Sequence, residues 1–245
     1  MTAPAPLLVV QHESRVPLGR ITFPGLALDV VRPDRGDAVP ARVVDHAGLV
    51  VLGGTMAAWE DDVAPWLPAT RRLLAACVDD GTPVLGICLG AQLLALATGG
   101  SVERGAAGPE LGVLEVNATA AAADDVLVGG LGPRWLAPQG HHDAVTALPT
   151  GAVPLATSEV YPHQAFRLGE RAWGVQYHPE ATVDVLADWW GADRDVLAGG
   201  GTTPEHLVVD ARRRDDELAA LARAHGEAFT AAVREAARRG QPQLR

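Results

Sequence analysis

Short apolar runs alternate along the first hundred residues with stretches in which apolar side chains recur at helical spacing. Leu7-Leu8-Val9-Val10, Ala27–Val31, Gly48–Leu52 and Val84–Ile87 are brief and rich in Val and Leu. Continuous runs of this kind predict strands buried on both faces, as in a parallel sheet. Between the third and fourth runs, Trp66–Val78 carries Trp66, Leu67, Leu73, Leu74 and Val78, and after the fourth comes Leu89–Ala97, rich in Leu and Ala. Strand, helix, strand, helix predicts an α/β fold: a doubly wound, mostly parallel sheet flanked by helices.

From about Gly112 the pattern changes to shorter strands with frequent turn residues. Gln164–Leu168, then Gly169-Glu170-Arg171, then Ala172–Tyr177 reads as a β-hairpin. A small antiparallel addition to the parallel core is therefore expected. Further on, Gly199-Gly200-Gly201 suggests a hinge, and Thr203-Pro204 an N-cap followed by proline at the first helical position. Leu218, Ala222, His225, Phe229 and Val233 then mark one face of an amphipathic helix, which is expected to cover its own core rather than a partner. The expected division is residues 1–192 for the α/β domain and 193–245 for a C-terminal helical extension packing on or beside it.

Composition narrows the possibilities. The chain has 245 residues, 48% of them hydrophobic, which is enough for one sizeable core. Its formal charge of −10 leaves no basic face for nucleic acid or an anionic membrane. No Lys or Arg precedes Leu7–Val10, and that run is too short for a signal core or a membrane span, so a cytoplasmic protein is expected. The two cysteines, Cys77 and Cys88, are too few for a disulfide framework.

One cysteine stands in a special context. In Val84-Leu85-Gly86-Ile87-Cys88-Leu89-Gly90-Ala91-Gln92 a strand enters, a helix leaves, and glycines flank Cys88 two residues away on each side. This is the pattern of a nucleophile elbow with Cys in place of Ser. It presents the sulfur at a helix N-terminus, where the dipole and free N–H groups favour thiolate. The Leu89 N–H points where an oxyanion would develop. Cys77 lies in a plain helical pattern and is expected to be structural.

A thiol nucleophile needs a base, and the base needs a group that fixes its tautomer. His178-Pro179-Glu180, at the end of the second hairpin strand, supplies both about ninety residues downstream. Gly53-Gly54, directly after the third strand, lets a ligand approach the backbone and offers the Gly54 N–H as a second oxyanion donor. Gln92, one helical turn after Cys88, could hydrogen-bond a substrate beside the sulfur.

These segments resemble the class I (triad-type) glutamine amidotransferases. Gly86-Ile87-Cys88-Leu89-Gly90-Ala91-Gln92 looks like the family's G-x-C-x-G-x-Q segment, Val175–Glu180 like its His-Pro-Glu end, and Leu52-Gly53-Gly54 like its oxyanion strand, in the same order over roughly residues 7–190. Within the family the chain looks closest to stand-alone members related to the glutaminase domain of GMP synthase. Gln139-Gly140-His141-His142-Asp143 resembles a Gln-Trp-His-x-Asp segment there, with Gly140 in place of the aromatic, a departure that bears on the pocket floor.

The resemblance implies a flavodoxin-like fold and a glutaminase that forms a γ-glutamyl thioester on Cys88, releases ammonia and hydrolyses to glutamate. It implies Gly53, Gln92, His141 and Asp143 as substrate contacts, and neither metal nor cofactor. No G-x-x-x-x-G-K-[ST] loop is present, so the ammonia acceptor is expected on a separate synthetase subunit. Two other readings share the site: a free-standing hydrolase of γ-glutamyl amides or peptides, and a regulatory binding module without turnover.

Overall fold

The computed structural model describes residues 4–240. Strands β1 (Leu7–Val10), β2 (Leu28–Val31), β3 (Gly48–Val51) and β4 (Val84–Ile87) are parallel, with helix α1 (Leu67–Asp80) leading into β4 and α2 (Leu89–Ala97) leaving it. Strands β5 (Ser101–Arg104) and β8 (Asp143–Ala147) form a separate antiparallel pair. The remaining strands are β6 (Glu110–Ala118), β7 (Arg134–His141), β9 (Val153–Thr157), β10 (Ala165–Leu168) and β11 (Ala172–Val175). They extend the main sheet to nine strands in the order β2-β1-β3-β4-β11-β10-β9-β6-β7. β11 joins the parallel half through β4, and every pairing from β11 outward through β10, β9, β6 and β7 is antiparallel.

Alternation along the central strands sends side chains to two cores. Leu7, Val9, Val50, Leu52, Leu85, Ile87, Trp173 and Val175 face one way, and Leu8, Val10, Leu49, Val51 and Val84 the other. The second face is covered by α1 and α2 through Leu67, Leu73, Leu74, Leu93 and Leu94. The first is covered by the last of four C-terminal helices: α3 (Val183–Ala192), α4 (Arg194–Gly199), α5 (Pro204–Arg213) and α6 (Asp215–Gly240). Phe229 and Val233 of α6 are buried among Leu7, Val50 and Trp173, so this stripe completes the sheet's own core. At α5 the Thr203 side chain accepts from the His206 N–H and Pro204 follows, the expected cap.

Two expectations need correction. The run Ala27–Val31 is an edge strand and is not buried on both faces: Leu28 and Val30 are 41% and 38% exposed, because β2 has a neighbour on one side only. The later strands are not uniformly short, since β6 and β7 are nine and eight residues long and pair over eight of them. Gly199–Gly201 leads from α4 toward α5, with the Gly200 N–H donating to the Val196 and Leu197 carbonyls and the Thr202 N–H to that of Leu197. Among the described residues no helix is long and apolar enough to cross a membrane.

Candidate active site

The carboxyl ends of β1, β3, β4 and β11 meet at one edge of the sheet, and the loops leaving them enclose a cleft of about 330 Å³. Cys88 sits at its base, 5% exposed, with φ 49° and ψ −106°. A left-handed φ on a non-glycine residue is costly and persists only where the surroundings dictate it. Here the Cys88 N–H is held by the Val175 carbonyl at 2.8 Å and its carbonyl accepts from Gln92 N–H at 3.0 Å. The flanking glycines are there for space. A Cβ on Gly86 would lie 2.6 Å from the Gly90 carbonyl, and one on Gly90 would lie 2.1 Å from the Val51 oxygen. The elbow therefore folds on itself and lets α2 press on the β3 backbone.

Cys77 differs. It is 1% exposed in α1, and burial, aided by the Asp80 charge, pushes its thiol up to about 12. Such a sulfur is an apolar packing group.

His178 and Glu180 lie just past β11. His178 Nδ1 is 2.7 Å from Glu180 Oε1, and both side chains are almost wholly buried. The carboxylate accepts, so Nδ1 carries the proton. Burial pulls the imidazolium down, but the Glu180 charge and the Cys88 sulfur outweigh it and raise its pKa to about 10. Gly53 makes room for the pair: a Cβ there would lie 3.0 Å from His178 Cε1 and 3.6 Å from Cys88 Cβ. The Glu180 backbone is pinned from outside, its carbonyl accepting from Arg20 N–H at 2.8 Å.

The Gly54 and Leu89 N–H groups have no internal acceptor among the described residues. Their residues are neighbours, since a Cβ on Gly54 would lie 2.7 Å from Leu89 Cδ2. The next N–H along, that of Thr55, donates to the Glu13 carboxylate, which steadies the glycine turn. Behind it, His12 accepts from Trp66 Nε1 at 3.0 Å, and burial, only partly opposed by Asp34, lowers its pKa to about 4.

The residues expected to bind substrate divide. Gln92 and Asp143 line the cleft, and Gln92 Nε2 donates to the Asp143 carbonyl at 3.1 Å, leaving Oε1 without a hydrogen-bond partner among the described residues. His141 also borders it, but both ring nitrogens are engaged internally, by the Asp143 carbonyl and by Glu110 Oε2, each at 2.9 Å. Gly140 is covered by Trp189 from α3, whose Cε3 would be 3.4 Å from a Cβ there. Trp189 also packs against His178 with ring centroids 4.6 Å apart and donates to the Arg15 carbonyl at 2.9 Å. An aromatic side chain from α3 thus occupies the space beside Gly140.

Sequence reasoning passed over Trp189 and Gln176. The Gln176 side chain reaches Cys88 Sγ at 3.5 Å. Gln176 lies in the bend just after β11, two positions before His178, and no residue pattern sets it apart from its neighbours.

Fold and cleft together define an α/β protein that presents a cysteine on a strand–helix elbow. Comparison with known proteins narrows this. The family model for glutamine amidotransferase class-I matches residues 24–187, and the chain belongs to that family. A glutamine-hydrolyzing GMP synthase from Aeropyrum pernix is 35% identical over 178 residues, 69% of this chain but 32% of that relative, so the chain spans about a third of its length. A protein of Natronomonas pharaonis named as one subunit of glutamine-hydrolyzing GMP synthase is 35% identical over 164 residues, 65% of this chain and 80% of that one. Among solved structures, a glutamine amidotransferase from Thermotoga maritima superposes with a TM-score of 0.80 at 27% identity, covering 94% of this chain and 99% of its own.

Proposed function

We propose that this chain is a glutaminase of the amidotransferase type, which cleaves the side-chain amide of glutamine and passes ammonia to a separate synthetase subunit. The observation that carries this reading is the meeting at one cleft of the Cys88 sulfur and the His178 imidazole, itself paired with buried Glu180, beside the Gly54 and Leu89 N–H groups, which have no acceptor among the described residues. Relatives named as GMP synthase, some of them as one subunit of it, support both the substrate and the division of labour.

In this mechanism the Cys88 thiolate attacks the glutamine Cδ, and the carbonyl oxygen becomes an oxyanion between the Gly54 and Leu89 N–H groups. His178, protonated at rest, gives its Nε2 proton to the departing nitrogen, so ammonia leaves and a γ-glutamyl thioester remains. The now neutral His178 takes a proton from water, whose oxygen attacks the thioester. Collapse expels the thiolate and frees glutamate, which restores the starting charges. Glu180 holds the ring orientation and balances its charge. Gln92 Oε1 and Asp143 are the groups left to contact the amino-acid end.

Ammonia release by the purified chain, from glutamine and from a panel of γ-glutamyl amines, tests this. Slow turnover of glutamine, preferred over every other amide, is expected. Fast hydrolysis of a γ-glutamyl amine in preference to glutamine would replace the amidotransferase reading with a free-standing γ-glutamyl hydrolase. No turnover of any amide would leave a binding module.

A further inference from the structure

A chain of buried side-chain amides runs from the cleft wall to the sulfur. The Asp143 carbonyl, an acceptor only, receives Gln92 Nε2 at 3.1 Å. The same nitrogen lies 3.2 Å from Gln176 Oε1. Gln176 Nε2 is then the end that meets Cys88 Sγ, at 3.5 Å. The orientation of each amide follows from the one before it: the backbone carbonyl fixes Gln92, and Gln92 fixes Gln176. Gln176 is 2% exposed and Gln92 3% exposed, so water does not compete for these bonds.

We propose that Gln176 is a further catalytic residue, whose side-chain amide donates a hydrogen bond to the Cys88 sulfur and stabilises it as thiolate, and that Gln92 is the positioning residue that turns this donor toward the sulfur. The inference rests on Cys88 being the nucleophile. A donor fixed on the sulfur favours the attacking anion and also the anion expelled when the thioester collapses. It sits on the opposite side of the chemistry from Gly54 and Leu89, which serve the carbonyl oxygen. The arrangement gives Gln92 two separate roles: its nitrogen is committed to the Asp143 carbonyl and Gln176, and its oxygen remains for substrate.

The anchor of this chain is itself braced. The Asp143 carbonyl also accepts from His141 Nδ1 at 2.9 Å, and His141 Nε2 meets Glu110 Oε2 at 2.9 Å. Gln164 Nε2 donates to the same Glu110 oxygen. Other charged or titratable groups facing the cleft are His178, Arg15, Arg104, His142, Asp143 and Asp193, drawn from the other elements around it. None of them is altered by a change at Gln176, so a change in the pH dependence of the sulfur reports on the amide.

The experiment is the rate of Cys88 alkylation by iodoacetamide against pH, read by peptide mass so that Cys77 is counted apart, alongside glutamine turnover. Loss of a hydrogen bond to a charged group is on the order of a tenfold effect. Gln176→Met, which keeps length and removes the donor, should alkylate about tenfold more slowly on the acid limb of the profile, where the thiol form dominates, and regain the wild-type rate at higher pH, with kcat reduced and KM nearly unchanged. Gln176→Glu should be slower still, because it sets a carboxylate against the sulfur. Gln92→Met should shift alkylation in the same direction by a smaller factor. Should Gln176→Met not fold, as judged by its melting curve, Gln92→Met carries the test. Wild-type alkylation across pH in either folded variant would overturn the proposal. If instead Cys88→Ala still hydrolyses glutamine, the functional reading fails, and the alkylation profiles still decide the hydrogen bond.

Discussion

Replacing Gly90 by alanine puts a methyl carbon 2.1 Å from the Val51 carbonyl oxygen, 2.8 Å from its carbon and 3.2 Å from the Leu52 oxygen. All three are backbone atoms at the end of a central strand, paired on both sides, so no flexible side chain can swing away. Overpacking a well-filled core costs about 1–3 kcal/mol, and a clash with fixed backbone belongs at the upper end. For a chain of this size each kcal/mol moves the melting temperature by roughly 2–4 °C, so a fall of about 6–12 °C is expected. The functional loss should exceed the loss of stability. Relief of the clash should move Leu52–Gly54 away from the elbow and separate the Gly54 and Leu89 N–H groups proposed to hold the oxyanion, and misplacing one such donor costs about 100- to 1000-fold in kcat. Gly191→Ala is the control. It lies in α3, exposed, with open space around it, and should gain about 0.5–1 kcal/mol from helix propensity. Scanning calorimetry and ammonia release on both proteins make the comparison. A Gly90→Ala protein that melts and turns over like wild type would refute the close-packed elbow.

Four further outcomes follow from the site and the core. Steady-state assays of His178→Ala should show nearly the loss of Cys88→Ala, on the order of 10³-fold or more, with Glu180→Ala milder, because residues acting as a unit are not additive; a Glu180 variant worse than His178→Ala would reverse their roles. Cys77→Ala should keep full activity and lose about 1 kcal/mol by urea unfolding, whereas a dead variant would mean the wrong cysteine. Buried, neutral His12 and His225, both lowered to about 4, bind protons more readily when unfolded. Stability should therefore fall as pH drops from about 6.5 toward 4, by up to roughly 3 kcal/mol for each, and His225→Gln should flatten that slope; an unchanged slope would contradict it. His178 has the opposite sign: its raised pKa gives stability that is complete below about 6.5 and lost as pH rises through about 10, a decline that urea midpoints of His178→Ala should lack.

The parallel core was legible because each of its central strands is a short apolar run closed by a turn signal, and the elbow because only glycine fits where Gly86 and Gly90 stand. The edge position of β2 was not legible. Leu28-Asp29-Val30-Val31 differs from the inner strands by the single charge of Asp29, and the sheet order shows that nothing pairs beyond it. That Cys88, His178, Glu180 and the Gly53-Gly54 turn come together around one cleft could be read from motifs that lie along the chain. Trp189 and the links among Gln92, Gln176 and Asp143 join residues distant in sequence, so side-chain geometry alone exposes them. The role of α6 lay between these cases: its stripe was plain, but the surface it covers became evident only when Phe229 was seen packed at the sheet.

The central claim is that Cys88 attacks the amide of a bound glutamine. A diazoketone analogue of glutamine, followed by intact mass and peptide mapping, tests it most directly. The account predicts a single adduct, located on Cys88, absent from Cys88→Ala and prevented by excess glutamine. An adduct on Cys77, or labelling of Cys88 that glutamine does not slow, would contradict it.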